Sequence, residues 1–173
     1  MTEPVPDPDL RAAVITVSDR ASSGRAADRS GPLAVDLVRG AGFACDDAVV
    51  IPDGAASVED ALRSVIDAGA RLVITTGGTG VGPRDETPEG TVPVISRLLP
   101  GVVEEIRRAA ALEKPGGMLS RGVAGVVDTG GPEDGGGAFV VNLPGSTAAV
   151  TSAVPIVLSV ATHVIAQLEG GDH

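Results

Sequence analysis

The sequence has 173 residues, of which 43% are hydrophobic and 1% aromatic, and its formal net charge is −10. This length suits one domain, and the composition is typical of a soluble chain with an aliphatic core. The negative charge and the absence of Trp and Tyr argue against nucleic acid and anionic membranes as partners, because those ligands require basic surfaces and bases stack on aromatic rings.

Cysteine usage and the chain ends set further limits. Cys45 is the only cysteine, which excludes an intramolecular disulfide and makes a reducing cytoplasm the expected compartment. Residues 1–10 are rich in proline and acid and predict a short disordered lead, followed by a single domain over 11–169. The strongly apolar run from Ala153 to Ala161 falls short of the roughly 20 residues that span a bilayer, so we expect no membrane segment.

The first half of the chain alternates between strand and helix patterns. The apolar runs Arg11 to Val17, Ala44 to Ile51 and Arg71 to Thr75 predict strands. Helical spacing predicts a helix from Ser30, its expected cap, to Ala41, and Ser57 to Asp60 has the form of a capping box that opens a second helix.

The second half begins with two neighbouring helices that we expect to pack together. It predicts, in order, a helix from Thr87 to about Leu99, a helix over Gly101 to Leu112, strands over Gly122 to Val127 and Ala138 to Asn142, and a long apolar helix from Ser146 through Leu168. The two strands are joined by residues 128–137, a stretch rich in glycine and acid that predicts a mobile hairpin tip.

This alternation with short connections predicts the α/β class: a three-layer α/β/α sandwich with a mostly parallel sheet and an antiparallel edge strand. In such sheets, ligands bind beyond the carboxyl ends of the strands. The notable polar residues follow strands in this way, at Ser18 and Asp19, at Asp53, from Thr75 to Asp85, and from Leu143 to Ser146. We therefore expect them to form one pocket.

The segment Thr76-Gly-Gly-Thr-Gly80 is the first candidate for binding. Residues without side chains let the backbone approach an anion and direct several N–H groups at it, although the same five residues also suit a tight turn. The chain has no Gly-x-Gly-x-x-Gly, and its single lysine, Lys114, lies outside any phosphate loop, which excludes the Rossmann and Walker motifs.

Two loop carboxylates, Asp53 and Asp85, are candidates for chemistry. Carboxylates at strand ends can ligate Mg²⁺ or accept hydrogen bonds from an amino-pyrimidinone edge, and the alternative is that each satisfies backbone amides in a turn. Ser146 is either a helix cap or part of an anion site at a helix start. Arg84 and Arg121 are the basic groups that we expect near phosphates.

Five motifs in this order resemble the MogA/MoaB family of molybdenum cofactor biosynthesis. They are Thr16-Val-Ser-Asp19, Thr76-Gly-Gly-Thr-Gly80, Asp85-Glu-Thr-Pro-Glu89, Ser120-Arg-Gly-Val-Ala-Gly125 and Asn142-Leu-Pro-Gly-Ser146. The resemblance spans about Ala12 to Leu168 and implies adenylylation of molybdopterin with Mg²⁺ and ATP, releasing pyrophosphate before molybdate is inserted. It also implies a homotrimer, with a hexamer as the alternative, and other cofactor-assembly proteins as partners.

The resemblance places Asp53 and Asp85 at functional aspartate positions, which we predict to be catalytic. Asp53 is the predicted Mg²⁺ ligand, while Asp85 either recognises the pterin or completes the metal site. The other predicted contacts bind substrate: Ser18, Asp19, Thr76, Gly77, Gly78, Thr79, Gly80, Glu89, Pro144, Gly145 and Ser146.

Two other functions fit parts of the sequence. Pro144-Gly-Ser-Thr147 resembles the MoaB branch, which favours a protein that binds molybdopterin without catalysis. A role as a structural partner in a cofactor-assembly complex would use the acidic residues of 128–137 as its contact. The presence of both Asp53 and Asp85 favours the enzyme.

Overall fold

The structure is a computed structural model that describes residues 10–130 and 136–171. The lead predicted for residues 1–10 lies almost wholly outside the described residues. The tip of the hairpin loop predicted for 128–137 also lies outside them, since 131–135 are not described.

The described residues form seven strands and six α-helices. Their bounds are β1 Arg11–Val17, α1 Asp19–Ser22, α2 Ser30–Gly40, β2 Ala44–Cys45, β3 Val49–Ile51, α3 Ala55–Asp67, β4 Leu72–Thr76, α4 Thr87–Thr91, β5 Arg97–Leu98, α5 Pro100–Glu113, β6 Ala124–Val127, β7 Ala138–Leu143 and α6 Thr147–Leu168, with a 3-10 helix at Pro115–Leu119.

The strands form one mixed sheet in the order β2-β1-β4-β7-β6-β5, and β3 also pairs with β1. β1 runs parallel to β2, β3 and β4, and β4 runs parallel to β7. β6 is antiparallel to both β7 and β5. The predicted α/β sandwich is confirmed, and the antiparallel part consists of β6 next to the edge strand β5.

Alternate side chains of the central strands fill a core on each face of the sheet. Val14 and Ile74 belong to the cluster that α2, α5 and α6 cover, whereas Ile15, Val73 and Val140 belong to the cluster under α3. Strands buried on both faces explain why these segments are apolar throughout, without the polar alternation of a half-exposed strand. The core is almost entirely aliphatic, as the composition predicts.

The serine caps predicted at Ser30 and Ser57 are wrong, because acidic side chains accept the N–H groups at the start of these two helices. α3 begins at Ala55 rather than Ser57, and the Ala55 N–H donates to the Glu86 carboxylate at 3.1 Å. At the start of α2, the Asp28 carboxylate accepts the Gly31 N–H at 3.0 Å. Of the two roles predicted for Ser146, the structure confirms the cap at the start of α6, since Ser146 Oγ accepts the Ala149 N–H at 3.1 Å.

The helix predicted from Thr87 to about Leu99 is much shorter than expected. α4 ends at Thr91, and Arg97–Leu98 instead form β5. Pro93 accounts for this, because proline lacks an N–H and disfavours helical geometry in the residue before it. The predicted packing of this helix against α5 is also wrong: α4 packs on α3, and Gly90 lies against the Ala55 carbonyl.

The strand predicted over Ala44 to Ile51 is divided into β2 and β3, both of which pair with β1. Among the described helices, α6 is the one that is long enough and apolar enough to cross a membrane, judged by length and composition alone. The run Ala153 to Ala161 had suggested that no segment reaches that length. α6 packs Val150, Val154 and Val157 into the core, so one face of this helix belongs to the interior of the domain.

The strand register brings four strand ends to one edge of the sheet. Val17 pairs with Ile51, Thr16 with Thr76, and Thr76 with Leu143. The loops that follow β1, β3, β4 and β7 therefore meet, as predicted for the polar clusters.

Candidate functional site

The loop after β4 requires glycine where it crosses the end of β1. Gly77 has φ +102°, and a β-carbon there would lie 2.2 Å from the Val17 carbonyl oxygen. Gly78 has φ +64°, and its β-carbon would lie 2.3 Å from Thr87 Oγ1. The Thr87 hydroxyl donates to the Gly77 carbonyl at 2.9 Å and its N–H to the Gly78 carbonyl at 3.0 Å. The start of α4 thus fixes the orientation of these peptides.

A buried hydrogen-bond network lies beneath this loop. The Asn142 side chain donates to Thr75 Oγ1 and Thr91 Oγ1, both at 3.0 Å, and accepts the Val123 N–H at 3.2 Å. Thr91 in turn donates to the Thr87 carbonyl at 2.7 Å. The network connects β4, β7 and α4, so the residues that hold the loop are themselves held by the core.

Several backbone N–H groups of the loop have no hydrogen-bond acceptor among the described residues. Among the described residues, the N–H groups of Gly78, Thr79 and Gly80 donate to no protein acceptor, whereas the Gly77 N–H donates to the Leu143 carbonyl at 2.9 Å. Successive unpaired N–H groups form a favourable environment for an anion. The geometry supports the anion-binding interpretation of this segment over that of a simple turn.

Asp19 and Asp53 form a reciprocal pair between the ends of β1 and β3. The Asp19 N–H donates to the Asp53 carboxylate at 2.8 Å, and the Asp53 N–H donates to the Asp19 carboxylate at 3.1 Å. Arg84 binds both oxygens of Asp19 at 3.1 and 3.2 Å and donates to the Asp53 carbonyl at 2.7 Å. The hydrogen bonds from Arg84 hold the pKa of Asp19 below its ordinary value, and Asp19 raises the pKa of Arg84.

Asp53 has one carboxylate oxygen available on the loop side. Its Oδ2 accepts the Asp19 N–H, and Oδ1 accepts no hydrogen bond within the described residues. A β-carbon placed on Gly78 would lie 3.1 Å from Oδ1, so this oxygen is next to the glycine loop.

Asp85 closes a small turn over the same loop. Its carboxylate accepts the Gly82 N–H at 2.9 Å, and its own N–H donates to the Gly82 carbonyl at 3.1 Å. A β-carbon on Gly80 would lie 2.8 Å from Asp85 Oδ2. Asp53 and Asp85 therefore each lie against one glycine of the same loop, Gly78 and Gly80.

Glu89 and Arg121, both predicted to contact substrate or its phosphates, are paired with each other. Arg121 forms an ion pair with the Glu89 carboxylate and also donates to the Gly80 and Asp85 carbonyls. Hydrogen bonds from Arg121 lower the pKa of Glu89, and the same interaction raises the pKa of Arg121. Both side chains are engaged in holding the loop.

Two cavities open at this edge of the sheet. The first, which we call the Asp85 cavity, has a volume of about 420 Å³. Its walls come from the glycine loop, the end of α5 with the 3-10 helix, and the start of α6. They include Gly77, Gly78, Thr79, Gly80, Asp85, Ala110, Lys114, Leu119, Ser120, Pro144, Gly145, Ser146 and Ala148.

The second cavity, which we call the Asp28 cavity, has a volume of about 410 Å³. Its walls come from the end of β1, the start of α2 and the start of α6. They include Thr16, Ser18, Asp28, Arg29, Ser30, Thr76, Gly145, Ser146 and Thr147. Six of the thirteen lining residues carry hydroxyls, and the Asp28 carboxylate accepts the Thr16 hydroxyl at 2.7 Å. The residues that enclose this cavity on the α2 side, Asp28, Arg29 and Ser30, were not predicted to be site residues.

Gly145 and Ser146 belong to both cavities, and they lie where α6 begins. The N-terminus of a long helix carries unpaired N–H groups and a partial positive charge, which favours a phosphate or other anion. Two molecules bound in the two cavities would therefore be adjacent at the start of α6.

The structure brings the predicted site residues to one edge of the sheet but gives them different surroundings. Ser18 and Thr76 line the Asp28 cavity, and Asp85 lines the Asp85 cavity. Asp53 is not among the residues that line either cavity: it is bonded to Asp19 and lies next to Gly78, while Glu89 is turned towards Arg121. Asp28 precedes a helix start, a position where acids commonly cap helices, and that was the available signal for it.

Comparison with known proteins places the chain among proteins of one cofactor pathway. A family model described as "Probable molybdopterin binding domain" matches residues 13–163. The molybdopterin adenylyltransferase of Pyrococcus furiosus is 36% identical over 154 residues, covering 88% of this chain and 87% of that protein.

Longer relatives and solved structures agree with that match. The molybdenum cofactor biosynthesis bifunctional protein of Synechococcus elongatus is 36% identical over 162 residues. The aligned region covers 94% of this chain but only 48% of that relative. The chain thus spans about half the length of the bifunctional relatives that it matches. A molybdopterin biosynthesis protein from Mycobacterium abscessus superposes with a TM-score of 0.83 at 38% identity, covering 93% of this chain and 97% of that one.

Proposed function

The chain belongs to the MogA/MoaB family of molybdenum cofactor biosynthesis, and we propose that it transfers AMP from ATP to the phosphate of molybdopterin. The observation that carries this proposal is the pair of cavities that share Gly145 and Ser146. A protein that only holds molybdopterin needs one cavity, whereas adenylyl transfer needs two phosphate-bearing reactants side by side. Positioning of that kind supplies much of the acceleration of such reactions.

We assign molybdopterin to the Asp85 cavity and the nucleotide to the Asp28 cavity. Apolar walls such as Ala110, Leu119 and Ala148 suit a flat heterocycle, and the Asp85 carboxylate can accept hydrogen bonds from the amino and N–H groups of a pyrimidinone edge. The hydroxyl-rich Asp28 cavity, with Arg29 at its wall, suits ribose and phosphates.

The chemistry requires little covalent work from the protein. An oxygen of the molybdopterin phosphate attacks the α-phosphorus of ATP, the bond from that phosphorus to the bridging oxygen breaks, and pyrophosphate leaves. In this proposal, the unpaired N–H groups of Gly78, Thr79 and Gly80 and those at the start of α6 bind the phosphate oxygens of the two reactants. Catalysis then consists of holding two anions together and neutralising their charge.

The carboxylates fit a magnesium ion that arrives with the nucleotide. The described residues contain no group of three or more His, Cys, Asp or Glu side chains that could hold a metal on its own. Mg²⁺ commonly uses one or two carboxylates together with phosphate oxygens and water. Asp53 Oδ1, which accepts no hydrogen bond among the described residues, is the protein ligand that we propose. When bound, the ion would neutralise phosphate charge.

The rival function is molybdopterin binding without transfer, which the MoaB-like Pro144-Gly-Ser-Thr147 favours. In that case the Asp28 cavity would bind no nucleotide. The trimer, the cytoplasmic location and contacts with other cofactor-assembly proteins, all expected from the sequence, stay predictions.

The test is steady-state formation of adenylylated molybdopterin from molybdopterin, ATP and MgCl₂ by the purified chain and by the Asp53→Asn and Asp85→Asn variants. Arg63→Gln is the matched control, because it removes a charge from an exposed ion pair on α3, away from the loop. We expect product from the parent and the control, and at least tenfold less from either Asn variant. Tight molybdopterin binding without product in the parent would favour the rival function.

A further inference from the structure

Arg121 forms hydrogen bonds with both ends of the loop over residues 79–85. Its backbone N–H donates to the Thr79 carbonyl at 2.7 Å, and its Nε donates to the Gly80 carbonyl at 2.8 Å. Its Nη2 donates to the Asp85 carbonyl, and Glu89 takes the remaining side of the guanidinium. One residue therefore holds both ends of the loop.

These contacts determine where the Asp85 carboxylate lies. The turn from Gly82 to Asp85 is closed by two hydrogen bonds of 2.9 and 3.1 Å, and both belong to the segment that Arg121 anchors. Without the anchor on the Asp85 carbonyl, the loop could shift as a unit and carry the carboxylate away from Gly80. The contact between Glu89 and Arg121 fixes the orientation of the guanidinium, because a planar fork binds a carboxylate in one plane.

We propose that Arg121 and Glu89 are positioning residues that hold Asp85 in place, and that neither binds substrate. The sequence had suggested phosphate binding for Arg121 and substrate binding for Glu89. In the structure, however, neither residue is among those that line the Asp85 cavity, and their charged groups neutralise each other. The proposal rests on the proposed function only in that Asp85 serves the reaction.

The kinetic test is a double-mutant cycle between Arg121→Gln and Asp85→Asn. If Arg121 acts through Asp85, Arg121→Gln lowers kcat by about tenfold or more with little change in the KM for ATP, and adding it to Asp85→Asn causes no further loss. A direct contact with a substrate phosphate would instead raise the KM for that substrate in the Asp85→Asn background as well. Losses that multiply in the double variant, or a change in the KM for ATP alone, would overturn the proposal.

Two further variants test whether positioning requires the planar guanidinium of Arg121 and its carboxylate partner. Arg121→Lys keeps the charge but loses the planar fork, so we expect it to resemble Arg121→Gln. Glu89→Gln should cause a smaller loss of kcat in the same direction, since the amide oxygen can still accept one hydrogen bond. The control Arg63→Gln, on the Arg63–Glu59 pair, should leave kcat unchanged.

A second measurement does not depend on activity. Amide hydrogen exchange at Gly82 and Asp85, whose N–H groups are bonded within the turn, should accelerate in Arg121→Gln and not in Arg63→Gln. If the parent chain forms no product but these amides exchange faster, the proposed function fails and the positioning role stands. Unchanged exchange in Arg121→Gln would overturn the positioning role whatever the activity.

Discussion

Replacing Gly77 by alanine should destabilise the protein strongly, because the loop passes too close to β1 for any side chain. The β-carbon would lie 2.2 Å from the Val17 carbonyl oxygen, which is main chain and cannot rotate away. The positive φ of +102° adds backbone strain of about 1 to 2 kcal/mol for a residue with a β-carbon. Forcing apart packed strands costs about 1 to 3 kcal/mol more. We therefore expect a loss of about 2 to 5 kcal/mol.

Urea unfolding followed by circular dichroism would measure this loss, and two variants calibrate it. Gly40→Ala lies at the end of α2 with nothing within 4 Å of the new β-carbon, so it should be neutral or stabilising by up to about 1 kcal/mol. Gly78→Ala meets a side-chain rather than a main-chain oxygen, the buried Thr87 hydroxyl at 2.3 Å, and has a φ of +64°, so it should be destabilising but less so than Gly77→Ala. A Gly77→Ala variant as stable as Gly40→Ala would refute the account of the loop.

Three other predictions concern the supports of the site. Asn142→Leu should cost about 2 to 4 kcal/mol in urea unfolding, because it leaves the buried Thr75 hydroxyl and the part-buried Val123 N–H without partners, while Thr91 keeps only its bond to the Thr87 carbonyl. Ser146→Ala removes the α6 cap and should cost about 1 kcal/mol by the same assay. The Arg84–Asp19 pair should stabilise the fold above the ordinary Asp pKa of 3.8 and lose that effect as pH falls through the lowered pKa of Asp19. The stability difference between the parent and Arg84→Gln should therefore shrink in strong acid to the contribution of the bond from Arg84 to the Asp53 carbonyl, and a difference that does not change with pH would contradict this assignment.

The sequence was sufficient for the strands that are buried on both faces and for the edge at which the site forms. Continuous apolar runs such as Arg11 to Val17 have one stable use in an alternating α/β chain, and the polar residues that follow them mark the strand ends. The start of α6 was also readable, since a capping serine acts within one turn. Each of these signals is local.

The features that the sequence did not reveal depend on contacts between distant segments. Glu86 caps α3 in place of Ser57, and the Arg121–Glu89 pair joins residues that no local pattern connects. The Asp28 cavity is enclosed by three separate elements, so its residues carry no shared spacing. The helix predicted to Leu99 ends early for a local reason, because Pro93 interrupts the helical geometry that the neighbouring residues favour.

The most direct test of the account is the covalent product itself. The parent chain would be incubated at stoichiometric concentration with molybdopterin, ATP and MgCl₂, and the pterin fraction examined by mass spectrometry while released pyrophosphate is counted. We predict one adenylylated molybdopterin and one pyrophosphate for each turnover. Unmodified molybdopterin recovered bound to the protein, with ATP intact, would contradict adenylyl transfer and leave a binding protein with an unexplained second cavity.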